Sequence, residues 1–124
     1  MTDKEQKKAA KEFAAYWKDK GSEKSDTQTY WNQLLTDVFG AEKLTGLVKY
    51  EKTVTVDGNQ QYIDAYIRHD NVTIIVEQKS LGKDYTEKLH QSGDIMLTPY
   101  EQAKRYDDNL NKKEQADYII TCNF

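Results

Sequence analysis

Tyr62-Ile63-Asp64-Ala65-Tyr66-Ile67-Arg68-His69-Asp70-Asn71-Val72-Thr73-Ile74-Ile75-Val76-Glu77-Gln78-Lys79 is the stretch that decides the fold. Its first six residues alternate polar and apolar, and Val72 to Val76 is a β-branched run, so both read as strands. Arg68-His69-Asp70-Asn71 between them is turn chemistry. With Asp70-Asn71 as a two-residue turn, the register sets Asp64 directly opposite Glu77, where Cβ atoms lie about 4.5–5.5 Å apart. Lys79 returns to the same face through the two-residue period. Two carboxylates and an ammonium thus gather on one face of a hairpin, and the carboxylates are close enough to share a divalent cation.

Upstream, Asp57-Gly58 is a strong type I′ hairpin signal. It joins a strand from Tyr50 to Val56 to the strand from Gln60 to Ile67, and its register sets Glu51 opposite Asp64. Glu51, Asp64 and Glu77 then form a row across three strands. Val54, Val56, Ile63, Ala65, Ile67, Ile74 and Val76 are expected to face the other way, into the core. Opposed like charges are destabilising unless something neutralises them, so the row itself argues for a metal.

Three helices carry the same opening device, a Ser or Thr followed three residues later by Glu or Gln. Thr2…Glu5 opens the first, with Ala10, Phe13, Ala14 and Trp17 on its inner face and Gly21 as a stop. Ser25…Gln28 opens the second, whose stripe is Tyr30, Trp31, Leu34, Leu35, Val38 and Phe39 before Gly40. Thr98…Glu101 opens the third, with Pro99 at the first helical position and Ala103, Tyr106 and Leu110 facing inward. Residues 80–97 read as a loop with a short helix around Tyr85–Leu89. The order is α-α-β-β-β-loop-α-β, an α/β domain without repeats or linkers.

At 124 residues the chain is one domain. Charged residues make up 31% and the net charge is −3, so the composition gives no strong basic field and no basic stripe. That weighs against a pure nucleic-acid-binding module. The single Cys122 fits a reducing compartment without a disulfide framework. The N-terminus lacks an apolar leader and no run reaches the length of a membrane span, so a cytoplasmic protein with no membrane partner is expected. Asp117 to Phe124 reads as a strand in which the sequence stops, so a longer parent polypeptide is expected.

Mg²⁺ binds through one or two carboxylates plus waters and substrate phosphate. Asp64 and Glu77 meet that need, and the Gln78 backbone carbonyl is a natural further ligand. A metal there would polarise the scissile phosphate and activate water, while Lys79 would stabilise the developing charge. E-x-K alone is common and usually marks a solvated strand face. The buried-looking flank and the in-register Asp64 set this instance apart. Gln102 and Tyr106, one helical turn apart, read either as a polar shoulder beside a core tyrosine or as a DNA-facing pair. His69 and His90 lack metal-ligand spacing and read as bystanders. Tyr16, Trp17, Tyr30 and Trp31 fall at helical spacing and read as core. Lys83, Lys88, Lys104 and Arg105 have acidic neighbours and read as solvated rather than phosphate-binding.

Ile63-Asp64…Glu77-Gln78-Lys79 followed by Gln102-x-x-x-Tyr106 resembles the PD-(D/E)XK nuclease superfamily, including its RecB-like branch with a Q-x-x-x-Y helix. Ile63 stands where the superfamily name has Pro. More closely, Tyr62 to Ile67, Glu77-Gln78-Lys79-Ser80, Leu97 to Tyr106 and Trp31 to Gly40 resemble the N-terminal nuclease domain of single-chain type II restriction–methyltransferases of the MmeI-like kind, over about residues 13–124. The resemblance implies a restriction-endonuclease-like core with a mixed sheet flanked by helices. It implies a Mg²⁺-dependent (or Mn²⁺-dependent) endonuclease acting on double-stranded DNA, with catalytic Asp64, Glu77 and Lys79 and supporting Gln102 and Tyr106. Glu23 resembles a recurrent G-x-E of that family, and either Glu23 or Glu51 completes the metal site. The downstream methyltransferase and target-recognition regions, with the S-adenosylmethionine that the former uses, would lie in the parent chain. Residues 1–124 alone are expected to cut DNA weakly or not at all. The alternatives are a catalytically silent nuclease-like DNA-binding or interaction module, and a scaffolding α/β domain whose E-x-K is coincidental.

Overall fold

The computed structural model describes residues 1–84, 86, 88–90 and 96–124. Helix α1 (Asp3–Trp17) leads to α2 (Glu23–Gln33), which runs on through a π-helical turn, Leu34–Val38. Strands β1 (Val48–Val56), β2 (Asn59–His69) and β3 (Val72–Lys79) follow. A two-residue ribbon, β4 (Leu89–His90) with β5 (Met96–Leu97), precedes α3 (Pro99–Asp108), a 3₁₀ turn at Lys112–Glu114, and β6 (Tyr118–Asn123). The main sheet has the order β1-β2-β3-β6. Its first three strands are antiparallel and β6 runs parallel to β3. Of the short helix expected around 85–89, residues 85 and 87 lie outside the described part, and Leu89 belongs to β4. The sheet is mixed and flanked by helices, as expected.

Both hairpin turns form with two central residues in the left-handed region, Asp57 (φ 51) with Gly58 (φ 78) and Asp70 (φ 47) with Asn71 (φ 66). This is the I′ geometry that matches strand twist. The registers follow. Tyr50 pairs with Ala65 and Lys52 with Ile63, while Ala65 pairs with Val76 and His69 with Val72. The third helix has its full capping box: Thr98 Oγ1 accepts from the Glu101 N–H at 3.1 Å, and the Glu101 carboxylate accepts from the Thr98 N–H at 2.9 Å. β6 is seated by two acids. Asp107 Oδ1 accepts from the Ala116 N–H at 2.6 Å, and Asp117 Oδ2 from the Thr73 N–H at 2.9 Å.

The core is two-sided, which corrects the single apolar face expected from alternation. Ala65, Ile67 and Val76 pack with Trp31 of α2, and Ile74 and Cys122 lie against them. Val54, Val56 and Ile63 pack instead with Tyr66 and Ile75 beneath Ala103, Tyr106 and Leu110 on the α3 side. Tyr66 and Ile75 face each other across the ladder next to the Ala65–Val76 pair, so the two clusters occupy opposite faces. Along β1 the change of side falls between Tyr50 and Val54, where Glu51 takes φ 51 and the ladder skips its pairing with Asp64. A left-handed non-glycine residue costs on the order of 1–3 kcal/mol, and here it re-aims the strand.

Four helix details also differ. α2 begins at Glu23 rather than near Ser25, because the Asp26 carboxylate accepts from the Ser22 N–H at 2.9 Å and closes the first turn. Phe39, placed in the second helix's stripe by spacing, is 63% exposed because the π-helical turn rotates it away from the core. Ala14 is exposed, and α1 instead uses half-buried Gln6, Ala9, Ala10 and Phe13 with buried Trp17. Of the four aromatics, Trp17 and Trp31 are buried and Tyr30 half-buried, but Tyr16 is 52% exposed, its ring under the Lys20 ammonium at 4.2 Å. Phe124 packs on Tyr30 and Trp17, with ring centroids 4.9 and 5.5 Å away. Gly21 (φ 127) passes so close beneath it that a Cβ there would collide with the Phe124 ring.

Candidate active site

β2 and β3 stay paired through Ala65 and Val76 and separate beyond them. At the opening, a side chain replaces the ladder: Asp64 Oδ2 accepts the Gln78 N–H at 2.8 Å. In an extended strand a residue's N–H and C=O address the same edge, so the Gln78 carbonyl is directed into this opening too. Glu77 is buried, and its Oε1 lies 3.1 Å from Nζ of Lys79, also buried. Lys79 Nζ donates a long hydrogen bond to Gln102 Oε1 at 3.5 Å, and Gln102 Nε2 donates to the Tyr106 hydroxyl at 2.7 Å. Tyr106 is the core tyrosine expected from the sequence, and Gln102 beside it links that hydroxyl to Lys79.

The other side of the opening comes from α2. Glu23 is its first residue, and its N–H donates to Ser80 Oγ at 2.8 Å. Next to that bond, the Leu81 N–H donates to the Gly21 carbonyl at 3.0 Å. These two bonds clamp the start of α2 to the exit of β3. A cleft of about 240 Å³ lies between α2 and strands β1 and β2, lined by Glu23, Lys24, Thr27, Gln28, Glu51 and Asp64. Glu77 and Lys79 are buried and do not line this cleft.

Burial dominates the electrostatics. It pushes the Asp64 carboxyl up to about 6, against the pull of the Gln78 N–H and Lys79, with Glu23 and Glu51 adding to the rise. Burial likewise pushes Glu77 up to about 8, reinforced by the Asp64 charge and opposed by Lys79. Burial would lower Lys79, but the carboxylates of Glu77, Glu23 and Asp64 outweigh it and hold the ammonium above its ordinary value. The Glu23 charge thus acts at Asp64, Glu77 and Lys79, whereas that of Glu51 contributes at Asp64.

Asp64, Glu77, Lys79, Gln102 and Tyr106 come together, and Glu23 and Glu51 reach the same cleft from opposite walls. The straight row of three carboxylates does not form, because the left-handed turn at Glu51 leaves that residue exposed. Among the described residues no group of three or more His, Cys, Asp or Glu side chains is gathered as a metal cage. Two partly desolvated carboxylates and a backbone carbonyl are nonetheless the donor set that Mg²⁺ uses alongside its waters. The residues present fit such an ion.

His69 ends β2, exposed and 3.2 Å from Asp70 Oδ2, and His90 falls in β4 with its side chain outside the described part. Lys104 pairs with Asp108 at 2.6 Å and Arg105 with Asp57, which leaves both as solvated surface. Two contributors escape a reading of the sequence. Ser80 follows E-x-K directly, yet nothing local links it to residue 23. Gln78 has a fully buried side chain whose Oε1 accepts from Trp31 Nε1 at 2.8 Å. The only local signal for that bond is a polar residue inside an apolar strand end.

Among the described residues no helix is long and apolar enough to cross a membrane. No curated protein and no solved structure matches the chain. A family model described as "MmeI, N-terminal domain" matches residues 8–124, nearly the whole sequence. With a match of that extent, the chain belongs to the family of MmeI N-terminal domains.

Proposed function

We propose that this domain is the Mg²⁺-dependent endonuclease part of a restriction–modification protein, of PD-(D/E)XK type, hydrolysing phosphodiester bonds in double-stranded DNA. One observation carries the reading: Asp64, Glu77 and Lys79 converge where β2 parts from β3, with Lys79 Nζ 3.1 Å from Glu77 and held from α3 by Gln102. Family membership supports the restriction–modification setting, in which methyltransferase and target-recognition regions follow in the parent chain.

A divalent cation at Asp64, Glu77 and the Gln78 carbonyl would polarise the phosphate and lower the pKa of the attacking water. The chain's own residues do the rest. Asp64, fixed by the Gln78 N–H, lines the cleft. Lys79, oriented by Gln102 and Tyr106, offers its ammonium to the charge that develops on phosphorus oxygens. Glu23 is the better candidate to complete the site, because its charge reaches all three central residues and Ser80 anchors its backbone.

The lack of a three-residue cage among the described residues favours one other reading, a nuclease-like module that binds or positions DNA without cutting it. Plasmid nicking by the full-length protein decides between them. Wild type is expected to convert supercoiled plasmid only with Mg²⁺ or Mn²⁺, and Glu77→Gln to fall to background while still folding. A Glu77→Gln variant that nicks as wild type does would overturn the endonuclease reading.

A further inference from the structure

Gln78 carries an amide into the apolar face of the sheet that packs on α2. Its side chain is fully buried and points to the face opposite its neighbours Glu77 and Lys79. There its Oε1 accepts from Trp31 Nε1 at 2.8 Å, and Trp31 is itself buried against Ala65, Ile67 and Val76. The other end of the amide is weakly served, with Nε2 donating to the Lys79 carbonyl at 3.4 Å. Burying an amide forfeits its hydration, a loss that an apolar side chain of similar size does not incur. Stability alone therefore does not account for a glutamine here.

The backbone of the same residue does. The ladder between β2 and β3 ends at Ala65 and Val76. Two residues further on, the Gln78 N–H holds Asp64 Oδ2 at 2.8 Å, and its carbonyl is directed into the same opening. The Trp31 bond thus fixes, through the side chain, a peptide that has lost its strand partner on the β2 edge. It fixes α2 as well. Trp31 lies about 12 Å along the helix from Glu23, whose N–H is held by Ser80 Oγ, just beyond Gln78 on the chain. α2 is joined to the end of β3 at two points, which set its rotation as well as its distance. One point alone would leave it free to pivot.

We propose that Gln78 and Trp31 are positioning residues for the divalent-cation site, acting through the Gln78 backbone on Asp64 and through α2 on Glu23. The inference rests on the metal-dependent function proposed above. It gives the tryptophan no contact with metal or DNA.

Mn²⁺ binding to the full-length protein, followed by electron paramagnetic resonance with melting temperature measured alongside, tests this. The ions that matter are those that wild type takes up and Asp64→Asn does not. Trp31→Phe and Gln78→Met cut the same bond from either end, so either one that folds decides the matter. Each is expected to weaken that Mn²⁺ affinity by about tenfold, the lower end of what losing a partner behind a metal ligand costs. The double variant should bind no more weakly than the weaker single, because both substitutions remove one interaction. Trp17→Phe is the matched control: Trp17 Nε1 donates to Gln33 Oε1 at 3.0 Å, between α1 and α2, and losing that bond should leave Mn²⁺ affinity unchanged. Wild-type Mn²⁺ affinity in folded Trp31→Phe or Gln78→Met, whatever their melting temperatures, would overturn this inference alone and reduce the bond to core packing. An equal loss of affinity in Trp17→Phe would also overturn it, because general loosening would then explain the effect. Equal binding by wild type and Asp64→Asn would instead remove the metal-dependent function, and this inference with it.

Discussion

Replacing Lys79 by Ala in the full-length protein is expected to lower DNA cleavage by at least about 10²–10³-fold, the scale of losing one preorganised charge-stabilising donor. The methyl transfer proposed for the parent chain should stay intact, because Lys79 would serve only the phosphate chemistry. The variant should also fold. Removing the ammonium leaves Glu77 buried without its partner, but burial already holds that carboxyl near pH 8, so it can remain as a neutral acid. Plasmid nicking, methyl transfer and thermal melting on one preparation separate lost chemistry from lost fold. Cleavage within a few-fold of wild type would remove Lys79 from the mechanism.

The second large effect is on stability against pH in the absence of metal. Asp64 and Glu77 take up protons more readily folded than unfolded, with folded values of about 6 and about 8 against ordinary values of 3.8 and 4.5. The folded state therefore binds more protons, and linkage makes stability fall as pH rises. The contribution is fully present below about pH 4, is lost through pH 6 as Asp64 ionises, and continues to fall towards pH 8 as Glu77 does. At about 1.4 kcal/mol per tenfold change in proton affinity, Asp64 alone accounts for on the order of 3 kcal/mol. Urea denaturation in EDTA at pH 5, 6.5 and 8 should show that decline. Glu77→Gln should flatten its upper part, and saturating Mg²⁺ should restore stability at pH 8 to wild type only. A wild-type curve that is flat or rises over this range would contradict the burial of these acids.

The features that sequence reveals here are the ones closed by short-range hydrogen bonds. Asp57-Gly58 and Asp70-Asn71 encode left-handed turns in the residues themselves, and the second fixes the register that carries Asp64 towards Glu77. Thr98, Pro99 and Glu101 encode the start of α3 within four positions, and with it the placement of Gln102. The start of α2 was less legible, because Ser25…Gln28 has the same spacing as a capping box. The side chain that closes the turn is Asp26, which reaches back to Ser22. The two-sided core depends on which helix covers which face, and alternation along a strand is silent on that. Glu51 is the clearest case. Its register partner follows from the Asp57-Gly58 turn, but its left-handed backbone answers to packing on both sides of the sheet. The Trp31–Gln78 and Glu23–Ser80 bonds join residues 47 and 57 positions apart, and no local pattern specifies either.

Mn²⁺ binding, counted by electron paramagnetic resonance, tests the central claim that Asp64 and Glu77 form one divalent-cation site. Wild type should take up Mn²⁺ at this site, and both Asp64→Asn and Glu77→Gln should lose it while remaining folded. Mg²⁺ should displace the bound Mn²⁺. Wild type and both variants binding the same number of ions with the same affinity would contradict the assignment.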